Sequence, residues 1–166
     1  MLELKKIHRD AVPAALAKVE RYRLLNQPRL AESICHDILV VDENNQEVNR
    51  QLILVITDQF GQKKGALAKR AREIAESLES EYDRNYYLGI IAERLGKAAL
   101  DSHTPGSNHD AYEWFHDAMV FYDRAEALHP EENDDAILRW NTCARQIENQ
   151  KLTERPPEER FHPMLE

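Results

Sequence analysis

The feature that most constrains the fold is a stretch of small and aromatic residues between positions 111 and 130, AYEWFHDAMVFYDRAEALHP. Its apolar residues recur at steps of three and four, which places them on one face of a long helix. Alanines on that face allow a second helix to approach closely, and large rings fill the space between them. Pro130 forbids further helix, because proline lacks the amide proton and clashes with the preceding turn. The stretch predicts a tightly packed helix with this inner face: Ala111, Phe115, Ala118, Tyr122, Ala125 and Leu128.

Composition and charge limit the possible classes of function. A chain of 166 residues, 42% hydrophobic and 31% charged, is typical of one soluble globular domain. The net charge of −8 argues against general binding to nucleic acids or to anionic membranes, since both need a basic field. No apolar run is long enough to span a membrane, and MLELKKIHRD lacks the apolar core of a signal peptide. We therefore expect a cytoplasmic protein, with Cys35 and Cys143 as buried thiols.

Helical periodicity recurs along the chain and predicts about seven helices. Asp10 is the expected N-cap of the first helix, and Ser107 with Asp110 resembles a capping box at the start of the sixth. The first five helices are expected at about 10–25, 28–41, 46–60, 65–80 and 82–101, the sixth from 107 to Pro130, and the seventh after Pro130 to about 150. Residues 1–9 form an N-terminal arm, residues 10–150 the helical domain, and the proline- and charge-rich residues 151–166 a disordered tail.

Gly89 stands in the middle of the fifth predicted helix. Glycine there costs about 1 kcal/mol relative to alanine. Such a residue is reasonable if another helix crosses close to the backbone at this point. Gly89 therefore predicts a close approach between helices.

The order Ala118, Tyr122, Ala125 and Pro130, written Ala-x3-Tyr-x2-Ala-x4-Pro, resembles the second half of a tetratricopeptide (TPR) repeat. The resemblance extends over residues 10–150 and is strongest at 118–130. It implies an all-α fold of antiparallel helix pairs stacked as a TPR-like right-handed superhelix. It also implies an interaction adaptor or scaffold that holds a peptide or a partner helix in its concave groove.

The resemblance further implies which residues line that groove, since first helices line it in TPR proteins. The implied groove residues are Glu20, Arg23, Leu24, Arg50, Leu54, Asp58, Tyr86, Glu93 and Arg94. The lysine and asparagine set that clamps a C-terminal carboxylate in chaperone-binding TPR proteins is absent. Arg23, Arg50 and Arg94 can still pair with carboxylates of a partner. Charge reversal at Arg23 and Arg50 is expected to weaken partner binding without loss of helix content, unless these residues are ordinary surface charges.

The sequence leaves two other functions open. Glu113-x-x-His116 places a carboxylate and an imidazole one helical turn apart, with His109 one heptad before His116. The first alternative is therefore a metal-binding helical bundle that uses Glu113 and His116. Exposed Trp114 or Phe121 would instead join two copies into a homo-oligomer.

Motifs of catalysis are absent from the sequence. It has no glycine-rich phosphate loop, no nucleophile elbow and no Cys-x-x-Cys pair. We therefore expect a non-enzymatic protein without a cofactor. Its partner is expected to be a protein or peptide, with no nucleic acid and no membrane.

Overall fold

The computed structural model describes residues 1–61, 64–128 and 132–157, and within these ranges the chain is helical with no strand. The prediction of an all-α fold with about seven helices is confirmed for this part of the chain. A 3₁₀ turn at Arg9–Ala11 precedes α1 (Val12–Leu24), α2 (Pro28–Val41), α3 (Gln46–Thr57), α4 (Lys64–Glu76), α5 (Glu81–Ser102), α6 (Ser107–Glu126) and α7 (Asp135–Asn149).

Two helices, α3 and α4, end earlier than the apolar periodicity predicts, because their last turns are tightened. α3 stops at Thr57 instead of residue 60, because the amides of Gln59 and Phe60 bond to carbonyls three residues back. α4 stops at Glu76 instead of residue 80. There the amide and the hydroxyl of Ser77 both bond to the carbonyl three residues back. The spacing of apolar residues carries no information about these local hydrogen bonds, so it does not predict where the two helices end.

Both N-caps expected from the sequence are wrong. Asp10 lies inside the 3₁₀ turn, and Ala11 occupies the N-cap position of α1. Ser107 is the buried first residue of α6, and Gly106, with a φ of 79°, stands at the N-cap. A left-handed φ of this kind suits glycine, so the backbone turn at Gly106 sets where α6 begins.

Helices that follow one another in the chain pack together. In addition, α1 contacts α3, and α3 contacts α5. α7 reaches α5 through Arg139, whose guanidinium bonds to the carboxylate of Glu93. The odd-numbered helices therefore form a contiguous set, and this set positions the clefts described below.

Buried side chains of the described residues form two clusters. The first, which we call the N-terminal core, is mainly aliphatic and includes the fully buried Val19 and Ile53. The second, the C-terminal core, places alanines of α5–α7 around the rings of Phe115 and Tyr122. Trp114 contacts both clusters and links the two halves of the protein.

The tightest helix contact joins α5 to α6 and depends on two glycines. A Cβ added at Gly89 would lie 2.5 Å from the ring of Tyr122, and one added at Gly96 would lie 3.0 Å from the ring of Phe115. The glycines advance along α5 while their partners go backward along α6, so the two helices are antiparallel. The close approach expected at Gly89 is present, with an aromatic ring filling the space.

The predicted inner face of α6 is correct except at its end. Its buried members are Ala111, Phe115, Ala118, Tyr122 and Ala125. Leu128 is 44% exposed and follows the last residue of the helix, Glu126, so its placement on the inner face is wrong. Pro130, the expected helix stop, lies outside the described residues.

Some residues of the segment 151–157 contact the helices. Leu152 is 5% exposed and belongs to the C-terminal core. His109 Nδ1 lies 2.9 Å from the carbonyl oxygen of Thr153, which can only accept, so Nδ1 carries the proton. These contacts lie in the described part of the predicted tail, and residues 158–166 lie outside the described residues.

Candidate functional site

A cleft of about 790 Å³ lies between α1, the end of α3 and α5, and we call it the α1–α3–α5 cleft. Leu24 of α1 and Phe60, just after α3, give it an apolar part. Arg94 and Lys97 of α5 give it a basic wall. The cleft therefore combines an apolar contact with charged groups, which is the usual composition of a binding surface.

One carboxylate in this cleft forms ion pairs with two arginines. Arg23 Nε donates to Asp58 Oδ2 at 2.7 Å, and Arg94 Nη1 lies 3.8 Å from Asp58 Oδ1. The side chains of Arg23 and Asp58 are each only 19% exposed. Because one carboxylate carries one negative charge, the three side chains together keep an excess positive charge inside the cleft.

Two lysines add to this positive charge. Lys64 and Lys97 line the cleft, and neither forms an ion pair within the described ranges of the chain. Counting all its charged lining residues, the cleft carries four cations and three carboxylates, although the whole chain has a net charge of −8. The α1–α3–α5 cleft is therefore a basic site on an acidic protein.

A second cleft of about 700 Å³ lies between α5 and α7, and we call it the α5–α7 cleft. It shares Arg94, Lys97 and Asp101 with the first cleft, so the two meet along α5. On the side of α7 it is lined by the uncharged amides of Gln146 and Gln150, one helical turn apart. Together the clefts form one extended groove along the outer face of α5.

The structure brings most of the predicted groove residues to these clefts. Those in the α1–α3–α5 cleft are Glu20, Arg23, Leu24, Asp58 and Arg94. Glu93 and Arg94 line the α5–α7 cleft. The other three, Arg50, Leu54 and Tyr86, line neither of the two clefts. A role in partner binding stays a prediction for all of them.

The arginines expected to meet a partner are already paired within the protein. Arg50 bonds to Glu47 at 2.6 Å and to Asp83 at 2.9 Å. Burial alone would lower the pKa of Arg50, but the two carboxylates raise it above its ordinary value. Charge reversal at Arg23 or Arg50 would break such intramolecular pairs, so neither substitution isolates an effect on partner binding.

Glu93 belongs to a polar network that the sequence does not reveal. The hydroxyl of Tyr122 donates to Glu93 Oε2 at 2.5 Å, and Arg139 Nη1 lies 3.2 Å from both of its carboxylate oxygens. Arg139 Nε also donates to the hydroxyl of Tyr86 at 3.0 Å. Burial and the charge of Glu93 raise the pKa of Tyr122 far above its ordinary range. Glu93 and Tyr86 therefore hold α5, α6 and α7 together.

The Glu113–His116 pair lacks the surroundings of a metal site. Glu113 Oε1 lies 3.8 Å from Arg155 Nε, and the His116 ring stacks against Tyr112 with centroids 6.2 Å apart. Among the described residues, no three His, Cys, Asp or Glu side chains converge in a metal-binding group. The geometry gives the metal alternative no support.

Both cysteines are free thiols inside the protein. Cys35 and Cys143 are fully buried, and burial raises the pKa of each thiol to about 12. Neither is a thiolate at neutral pH, which is the form that a nucleophile requires.

The two rings expected to be exposed for self-association are covered. The guanidinium of Arg72 lies 5.6 Å from the centroid of Trp114, which also contacts both cores. Arg124 lies over Phe121 at the same distance of 5.6 Å. Both rings are half-buried, so the expectation that they present an open apolar surface is wrong.

The chain matches no protein-family model, and no curated protein and no solved structure matches it. The resemblance to TPR repeats therefore rests on the residue pattern alone and stays a prediction. Of the helices in the described ranges, none has both the length and the apolar character needed to cross a lipid bilayer.

Proposed function

We propose that this chain is a non-enzymatic interaction adaptor, built as a TPR-like stack of helix pairs, that holds an acidic peptide segment of a partner protein along α5. The observation that carries this proposal is the basic α1–α3–α5 cleft on a chain with a net charge of −8. Opposite charge guides a ligand to such a site and fixes its position there.

The order of helix contacts supports the TPR-like part of the proposal. In a stack of helix pairs, the first helix of each pair lies beside the first helix of the next. α1, α3 and α5 follow this order, because α1 contacts α3 and α3 contacts α5. Residues of these three helices, together with Lys64 at the start of α4, line the α1–α3–α5 cleft.

The distribution of charge supports an acidic ligand. Asp58 is shared between two arginines, and Lys64 and Lys97 have no carboxylate partner within the described chain. Carboxylates of a partner would complete these pairs. Each exposed pair contributes less than about 1 kcal/mol, so several are needed, together with an apolar contact. Leu24, which is 83% exposed in the cleft, provides that contact.

The test is a selection of peptides from a displayed random library on the immobilised protein. Affinities of the selected peptides are then measured by fluorescence anisotropy for wild type and two charge-reversal variants. Lys97→Glu changes an exposed residue shared by both clefts, and Lys69→Glu changes an exposed residue of α4 outside them. We expect the selection to enrich acidic peptides. Their dissociation constant should rise about tenfold or more for Lys97→Glu and stay nearly unchanged for Lys69→Glu.

Circular dichroism of both variants checks that helix content is unchanged. Three results would contradict the proposal: no enriched peptide, enriched peptides without acidic residues, or an equal loss of affinity in the two variants.

A further inference from the structure

A groove of about 350 Å³ lies between α1 and α2, the N-terminal pair of the described helices. Its floor is largely apolar, with Ala14, Ala15, Leu30 and Ile34 among its lining residues. α3 packs against one side of this first helix pair. Residues of the arm, the 3₁₀ turn, α1 and α2 line the groove, and none of its lining residues belongs to α3. End units of stacked helices normally present a polar outer face, so an apolar groove at this position is a surface suited to a further contact.

The N-terminal arm carries the apolar side chains that match such a groove. Leu2 is 95% exposed and Leu4 is 85% exposed. Residues two apart in an extended segment project to the same side, so the two leucines can enter one groove together. Ile7 packs on the N-terminal core and lines the groove at its rim, which anchors the arm there.

Charges on the arm and in the groove are complementary. The arm carries Glu3 between its leucines, followed by Lys5 and Lys6. The groove carries Lys18 on α1 and Asp37 on α2. None of these side chains forms an ion pair within the described part of the chain. An arm lying along the groove can therefore pair Glu3 with Lys18 and a lysine with Asp37.

We propose that this end face is a self-association surface, where the arm of one copy lies in the α1–α2 groove of a second copy and the exchange is reciprocal. A reciprocal exchange uses the same surface on both copies and closes as a two-fold dimer. The arm's own leucines extend into solvent beyond Ile7, so each copy presents both a donor segment and an open acceptor groove. This surface is separate from the two clefts along α5, so self-association does not depend on the proposed peptide binding.

The contact is small, so the dimer is weak. We expect monomer at about 1 µM and a substantial dimer fraction at about 100 µM, as is usual for interfaces below the standard size. Analytical ultracentrifugation over this range of concentration measures the equilibrium directly.

Two variants disrupt the two sides of the contact. Leu2→Ser/Leu4→Ser removes the apolar arm, and Ala14→Glu places a charge in the groove at an exposed position of α1. Each is expected to weaken dimerisation at least about tenfold. Ala17→Glu, at an exposed position of α1 outside the groove, and Leu138→Ser, at an exposed position of α7, are the matched controls and should dimerise as wild type does.

Mixing the two disrupted variants tests whether the arm itself fills the groove. One variant keeps an intact groove and the other an intact arm, so the mixture should recover part of the dimer that neither forms alone. A wild type that is monomeric at all concentrations would overturn the proposal. The arm would then bind the groove of its own copy or a different protein. The proposal would also be overturned if each of the two variants still dimerised as wild type does. The same holds if mixing the two variants restored no dimer.

Discussion

The N-terminal and C-terminal cores hold their helices together by different means. In the C-terminal core, rings of α6 lie directly against glycines of α5, and Glu93, Tyr122 and Arg139 form an inner polar network. In the N-terminal core, branched aliphatic side chains fill the interior, and ion pairs such as Arg23–Asp58 lie at its edge. Contacts of the first kind depend on shape at single positions. Contacts of the second kind tolerate change, because neighbouring groups can substitute for one another.

The difference explains why α5 can serve as the base of the groove. Its glycine face is fixed against α6, and a different face presents Arg94, Lys97 and Asp101 to both clefts. A helix held rigidly on one side positions its exposed side chains with little loss of entropy on binding. One face of α5 therefore contributes to stability, and we propose that the face lining the clefts contributes to recognition.

The largest expected difference between the two halves concerns their half-buried arginines. Arg139→Met leaves Glu93, which is 15% exposed, with Tyr122 as its remaining side-chain hydrogen-bond partner among the described residues. We expect a loss of about 2–3 kcal/mol in the free energy of unfolding. Arg23→Met should cost only about 1 kcal/mol, because Arg94 remains within 3.8 Å of Asp58. Urea denaturation of both variants measures the two losses, and equal losses would remove this distinction between the halves.

A smaller effect is expected from Gly89→Ala. The new Cβ would meet the Tyr122 ring at 2.5 Å, so overpacking should cost about 1–3 kcal/mol despite the better helix propensity of alanine. Thermal and urea denaturation measure this loss. In a Tyr122→Ala background the same substitution should become neutral or stabilising, because the obstructing ring is gone.

Gly65→Ala is the matched control for the substitution at Gly89. Gly65 is also a helical glycine, but a Cβ there meets no atom within 4 Å. Alanine should therefore stabilise α4 by up to about 1 kcal/mol. Destabilisation at Gly65 equal to that at Gly89 would show that close packing on Tyr122 is not the cause.

The smallest effect is a pH dependence at the edge of the N-terminal core. Glu32 accepts hydrogen bonds from Gln59 at 2.6 Å and from Arg70 at 2.5 Å. Burial raises the pKa of Glu32, but these hydrogen bonds outweigh burial and lower the pKa below its ordinary value. The stabilisation is therefore fully present above the unfolded pKa of about 4.3, and it is lost as the pH falls through the lower folded value.

Glu32→Gln should reduce the fall in stability between about pH 6 and pH 3 by about 1 kcal/mol or less. Urea denaturation at each pH checks the slope. Glu43→Gln, at an exposed carboxylate, should leave the slope as in wild type. An identical slope for Glu32→Gln and wild type would show that Glu32 contributes nothing to acid sensitivity.

Features that depend on local spacing could be predicted from the sequence. The inner face of α6 follows from apolar periodicity, and Gly89 signals the close approach of α6 because glycine is otherwise costly in a helix. Helix ends and caps were harder, since Gly106 and the turn after α3 act through local hydrogen bonds. The packing of Leu152 could not be predicted, because the surrounding prolines and charges resemble a disordered segment.

Pairings between distant helices could not be predicted either. Arg139 lies 46 residues from Glu93, and no periodicity relates the two positions. The resemblance placed Arg23 and Arg94 near the cleft, but it did not show that both share Asp58. Whether a charged residue is free for a partner depends on such tertiary neighbours. The candidate site could therefore be predicted from the sequence less well than the fold.

The most direct test of the proposed function is an NMR titration of ¹⁵N-labelled protein with an acidic peptide selected from the displayed library. We expect shifts in the amide resonances of Arg94, Lys97 and Asp101, on the cleft face of α5. The amides of Gly89 and Gly96, on the face that packs against α6, should remain nearly unchanged. Shifts concentrated on α4 around Lys69, with the cleft face of α5 unaffected, would contradict peptide binding along α5.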